Sequence, residues 1–161
     1  MDRGSREVLC GDCGNEKVKR SVTAKLSAHP SSWNDNELAR KWARETKRLV
    51  KTMLGKAFLS GHEPAYPVAI KWVKMDPEEW GDASLRNYKA GTTFVIRLNR
   101  SLLGPHIHSR DLALFVFIHE LAHCLAWEAN ETAEESRAWV HGDHGAIWAA
   151  EHGALWDSLL E

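Results

Sequence analysis

The residues best placed for chemistry are His119, Glu120 and His123, in the order His-Glu-Leu-Ala-His. Two histidines four apart lie one turn apart on one face of a helix, so both imidazoles can reach a single zinc ion. Glu120, beside them, can reach a water held at that ion and act as its general base. The flanking residues are almost all apolar: Phe115, Val116, Phe117 and Ile118 before, Leu121, Leu125 and Trp127 after. Burying a glutamate between two histidines for packing alone would be costly, which favours a chemical role. A catalytic zinc also needs a third protein ligand and an open fourth position. The ten residues after His123 contain no histidine. Of those further on, His144 is the first choice for the third ligand and His141 the runner-up. His152 lies two turns beyond His144, roughly 12 Å of helical rise, and reads as a surface or supporting residue. Glu131, Glu134 and Glu135 could ligate in principle, but an acidic cluster is usually a solvated loop.

These residues require elements to position them. Asn34-Asp-Asn-Glu37 has a capping-box pattern, and Leu38, Trp42, Leu49 and Met53 follow at near-helical spacing, predicting a helix from about 35 to Gly55 or a little beyond. Segments 67–74 and 92–99 are rich in β-branched and aromatic residues and read as strands, paired as an antiparallel ribbon. Between them, 75–91 reads as a long surface connection. The active helix is expected over about 111–127 with Ser109 as its N-cap, and a last helix over about 144–160. The reading is one α+β domain over 31–161: a small antiparallel sheet, an active-site helix, and a following helix carrying the third ligand. Residues 1–30 read as a polar tail or a small cysteine-containing knuckle.

Of the 161 residues, 43% are apolar and 27% charged, which excludes disordered and fibrous classes. The net charge of −1 conceals an asymmetry. Residues 1–110 carry 20 basic and 12 acidic side chains; residues 111–161 carry Arg137 alone against 10 acids. Much of the positive charge lies on the first helix, where Arg40, Arg44, Lys47 and Lys51 form a stripe that could contact nucleic-acid phosphates. No apolar run approaches the roughly 20 residues a membrane helix needs. The N-terminus lacks a signal-peptide layout, so an intracellular location, cytoplasm or nucleus, is expected. Cys10 and Cys13 have the spacing of half a zinc knuckle, and a structural zinc there would need two more ligands. Trp33, Trp80 and Trp139 fall in expected loops, free to meet a substrate, whereas Trp42, Trp72, Trp148 and Trp156 fit core positions.

The run Ile96-Arg-Leu-Asn-Arg-Ser-Leu-Leu103, Arg110-Asp-Leu112, His119-Glu-Leu-Ala-His123 and His144-Gly-Ala-Ile-Trp148 resembles the SprT-like zinc metallopeptidases, Spartan among them. The related WLM peptidases are a near alternative. The resemblance spans about 35–160 loosely and 94–150 well. It implies a zincin-like fold, zinc on His119, His123 and His144, Glu120 as general base, and cleavage of proteins bound or crosslinked to DNA. The interval between the active helix and His144 is longer than expected for Spartan-like members and carries the acidic stretch 128–135. Two other functions fit the residues without that inheritance: a zinc peptidase that processes one partner protein with no DNA role, and a non-catalytic zinc-stabilised binding module.

Overall fold

The computed structural model describes residues 6–8, 36–104, 107–129 and 145–160. In chain order these form β1 (Arg6–Val8), α1 (Asn36–Leu59), β2 (Val68–Val73), β3 (Gly81–Tyr88), β4 (Gly91–Asn99), a 3-10 turn (Arg100–Leu103), α2 (Ile107–Ala129) and α3 (Ala146–Leu160). The class is α+β, as expected.

The sheet is mixed, in the order β1-β3-β4-β2, and the antiparallel ribbon expected from the sequence is corrected. β2 and β4 do pair, Val68 opposite Phe94 through Val73 opposite Asn99, but they run parallel. The cause is β3, an additional strand within 75–91. It forms an antiparallel hairpin with β4 through the tight turn after Tyr88, with Gly91 at φ 133°. With β3 antiparallel to β4 on one side, β4 presents its other edge to β2. A crossover through residues 74–80 lets β2 join there in the same direction.

Alternation along β4 sorts its residues. Phe94, Ile96 and Leu98 join the main core with Ala83 of β3, Leu102, and Val116, Phe117, Leu121 and Leu125 of α2. Arg97 lies on the opposite face and pairs bidentately with Asp82 across the strands. At Gly81 α2 packs close against the sheet. A Cβ there would lie 2.7 Å from Val116 Cγ1 and 2.9 Å from the Arg97 carbonyl oxygen.

Asn99 fixes the end of β4. Its Oδ1 accepts from the Ser101 amide at 3.1 Å, capping the 3-10 turn, while its Nδ2 donates to the carbonyls of Asp76 (3.1 Å) and Glu79 (2.6 Å). One buried side chain thus ties the strand end to the crossover loop. Trp80, expected in a loop open to substrate, is instead 5% exposed and part of the core.

α2 begins at Ile107, two residues before the expected N-cap, so Ser109 lies inside the helix. It is buried, and its hydroxyl has no hydrogen-bond partner among the described residues. α1 is joined to α2 by Arg110, whose guanidinium pairs with Glu45 at 3.1 Å and sits 4.6 Å over the Trp42 ring. α1 meets the end of α3 through Lys56, which donates to the Leu159 carbonyl at 3.0 Å, and the turn after α1 meets it through His62 and Ser158 at 2.9 Å. Among the described residues no helix is long and apolar enough to cross a membrane.

Candidate metal centre

α2 and α3 face each other through two stripes of large rings, each spaced four residues apart. On α2 these are Phe115, His119 and His123; on α3 they are Trp148, His152 and Trp156. The helices run antiparallel, so the rings interleave as a ladder. Ring centres lie 5.5 Å apart for His123 and Trp148, 4.8 Å for His119 and Trp148, 6.0 Å for His119 and His152, and 5.9 Å for Phe115 and Trp156. Four-residue spacing puts each set on one helix face, and the aromatic contacts hold both histidine rings in place. Phe115 is 41% exposed, so the expectation that it buries the helix is only half met.

The Nε2 atoms of His119 and His123 are 3.4 Å apart. Two nitrogens bound tetrahedrally to one zinc at about 2.05 Å each would be separated by about 3.4 Å. The two imidazoles therefore present their donors at the spacing a shared ion requires. Trp148 packs tilted against both rings and donates its indole N–H to the His119 carbonyl at 3.4 Å, anchoring α3 over the pair.

Glu120 is the other unusual group. It is 0% exposed, and neither carboxylate oxygen has a hydrogen-bond partner among the described residues. Its pKa is raised well above the ordinary carboxylate value, first by burial away from water and second by the negative charge of Asp82. A buried, unpartnered carboxyl between two histidines costs stability, so its presence favours a chemical role over a structural one.

His152 contacts the pair more closely than a surface residue would. It stacks on Trp148 at 4.6 Å with the planes 16° apart, and its Nε2 accepts the Trp156 indole N–H at 2.9 Å. Its Nε2 is thus engaged, and its ring packs beside that of His119 with centres 6.0 Å apart. The Trp-x3-His-x3-Trp spacing of 148–156, matched to Phe-x3-His-x3-His of 115–123, was the available signal for this ladder.

Among the described residues no group of three or more His, Cys, Asp or Glu side chains is arranged to hold a metal ion. His144, His141, Cys10, Cys13 and the acidic stretch 130–135 lie outside the described residues. In sequence, His144 falls four residues before Trp148, continuing the interval of the α3 stripe. Arg40, Arg44, Lys47 and Lys51 are all exposed on α1. No family model, curated protein or solved structure matches the chain.

Proposed function

We propose that the protein is a zinc-dependent metallopeptidase of zincin-like fold, with His119 and His123 as ligands, His144 as the third, and Glu120 as general base. The observation that carries this reading is the 3.4 Å Nε2 to Nε2 spacing beside a fully buried glutamate that has no hydrogen-bond partner among the described residues. A zinc ion held there would supply the Lewis acidity that acidifies a water and polarises a peptide carbonyl. The protein residues do the rest. His119 and His123 present donors fixed by the ring ladder, with Trp148 and His152 holding the His119 ring from the α3 side. Glu120 takes the proton of the attacking water and delivers it to the leaving amine. The orphaned carboxyl favours catalysis over a non-catalytic zinc module, which would have no use for an unpaired buried acid.

The test is zinc-dependent proteolysis of a basic DNA-binding protein by the full chain. Cleavage should stop on chelation, return with zinc, and be absent in His119→Ala and His123→Ala. Zinc bound with full affinity by both histidine variants would overturn the assignment.

A further inference from the structure

β2 lies at one end of the sheet, and among the described residues its outer edge has no partner strand. The Pro67 carbonyl accepts from the Phe94 amide at 2.9 Å. By alternation, residues 69, 71 and 73 turn their amides and carbonyls toward β4, while Val68, Ile70 and Trp72 turn theirs outward. The outward Trp72 carbonyl accepts from Arg100 Nε at 3.2 Å, whereas the Ile70 amide and carbonyl have no hydrogen-bond partner among the described residues. Beside this edge runs a groove of about 400 Å³, walled by Arg44, Lys47, Arg48 and Lys51 of α1 and floored by Ile70 and Trp72. All four cations are exposed, and none makes an ion pair among the described residues, whereas Arg97 and Arg110 are both paired.

An open strand edge offers donors and acceptors in turn, which an extended peptide backbone matches and a phosphodiester backbone, having no donor, does not. We propose that the β2 edge binds an acidic peptide as an added antiparallel strand, with its carboxylates against the α1 cations. The register follows from strand geometry. In an antiparallel pair, two residues that exchange hydrogen bonds lie directly opposite each other, with their side chains on the same face of the sheet. The peptide residue opposite Ile70 therefore bonds to it and points into the groove, as do those two positions away on either side. These are the places for acidic side chains. Every second residue of a strand is about 6.7 Å on, close to the roughly 6 Å of rise from Arg44 to Arg48 or from Lys47 to Lys51. The partner is thus a short extended segment in which acidic and uncharged residues alternate. The charge pattern of α1 marks only the cations, and the open edge of β2 beside them comes from the fold, which brings Arg48 into the lining and leaves Arg40 out of it.

Binding at this edge does not depend on zinc chemistry, and its test reads binding alone, so its failure would leave the peptidase reading untouched. The full chain is titrated by fluorescence anisotropy with a labelled, C-terminally amidated peptide, Thr-Glu-Thr-Glu-Thr-Glu-Thr. Alongside it are the same peptide with Gln for Glu, two N-methylated forms, and an equally labelled oligothymidylate with the same number of negative charges. The Glu peptide should bind with an affinity that falls as salt is raised, and the Gln peptide should bind about tenfold or more weakly. Methylating the Glu amides removes the donors that face β2 and should weaken binding about tenfold or more. Methylating the Thr amides, which face away, should change it by no more than about threefold. Lys47→Glu with Lys51→Glu should lower affinity for the Glu peptide about tenfold or more, and Arg44→Gln with Arg48→Gln should lower it as well. All four positions are exposed, so circular dichroism should remain native. No binding of the Glu peptide at low salt, wild-type affinity in both double variants, weakening that is equal for the two methylation patterns or confined to the Thr amides, or tighter binding of the oligothymidylate would each overturn the proposal.

Discussion

Replacing Glu120 with methionine should stabilise the metal-free protein, an uncommon outcome for a change at a fully buried position. The side chain is 0% exposed and neither oxygen has a partner among the described residues, so the carboxyl's desolvation cost is not offset by a hydrogen bond from them. Removing an unsatisfied buried polar group of this kind recovers about 1–3 kcal/mol, and methionine nearly preserves the side-chain volume. For a domain of this size each kcal/mol corresponds to roughly 2–4 °C in Tm. The effect should grow with pH. Because the folded pKa lies above the unfolded value of 4.5, the folded state retains the proton after the unfolded state has lost it. The stability associated with the protonated carboxyl is therefore fully present below 4.5 and lost as pH rises through the folded pKa, with a slope of up to about 1.4 kcal/mol per pH unit. Glu120→Met abolishes that slope, so the gap between the two proteins widens from pH 4.5 upward until the folded pKa is passed. The assay is urea denaturation of chelator-treated protein across pH, with ΔG compared at each point. A methionine variant less stable than wild type by 2 kcal/mol or more at every pH would refute the reasoning, since it would mean that Glu120 is satisfied and structural.

Three further outcomes follow from the packing and the ladder. Gly81→Ala should cost about 1–3 kcal/mol in urea denaturation, because its Cβ would meet Val116 and the Arg97 carbonyl below 3.0 Å; an unchanged midpoint would mean that α2 sits further from β3. Asn99→Ala removes the cap of the 3-10 turn and the side-chain donor to the Glu79 carbonyl, while the Asp76 carbonyl keeps the Glu79 amide, and should cost about 1–3 kcal/mol by the same assay, with a loss under 0.5 kcal/mol contradicting its role. His152→Phe should weaken zinc binding in a competition titration by no more than about 10–100-fold, as expected of a residue that supports a ligand, whereas His123→Ala should abolish it. Complete loss of zinc in His152→Phe would make His152 a ligand.

The elements that were legible in the sequence are those whose pattern is local. The active helix shows an unbroken apolar surround with two histidines at one-turn spacing, and α2 contains it with four extra residues at its start and two at its end. α1 follows its amphipathic stripe, running four residues past Gly55 because a single exposed glycine costs less than the helix gains from packing Ala57. β3 was illegible for the opposite reason. Gly81-Asp-Ala-Ser-Leu-Arg-Asn-Tyr88 is built largely of poor strand formers, and it becomes a strand because β4 and α2 enclose it, with Gly81 admitting Val116 and Asp82 meeting Arg97. Missing β3 led directly to the wrong direction for the β2 and β4 pair. Trp80 was misread with it, since a residue next to an unrecognised strand looks like a loop tip. At the candidate site, His119, Glu120 and His123 were visible from spacing alone. The supporting position of His152 required the antiparallel approach of α2 and α3, which no single helix pattern contains.

The most direct test of the central claim is single-turnover cleavage by the wild-type chain and by Glu120→Gln, each verified to carry one zinc. The account predicts hydrolysis by the wild type and a loss of at least a hundredfold in rate for Glu120→Gln at equal zinc occupancy, as expected when a general base is removed. Equal rates in the two proteins, or no cleavage by the zinc-loaded wild type under any tested condition, would contradict it.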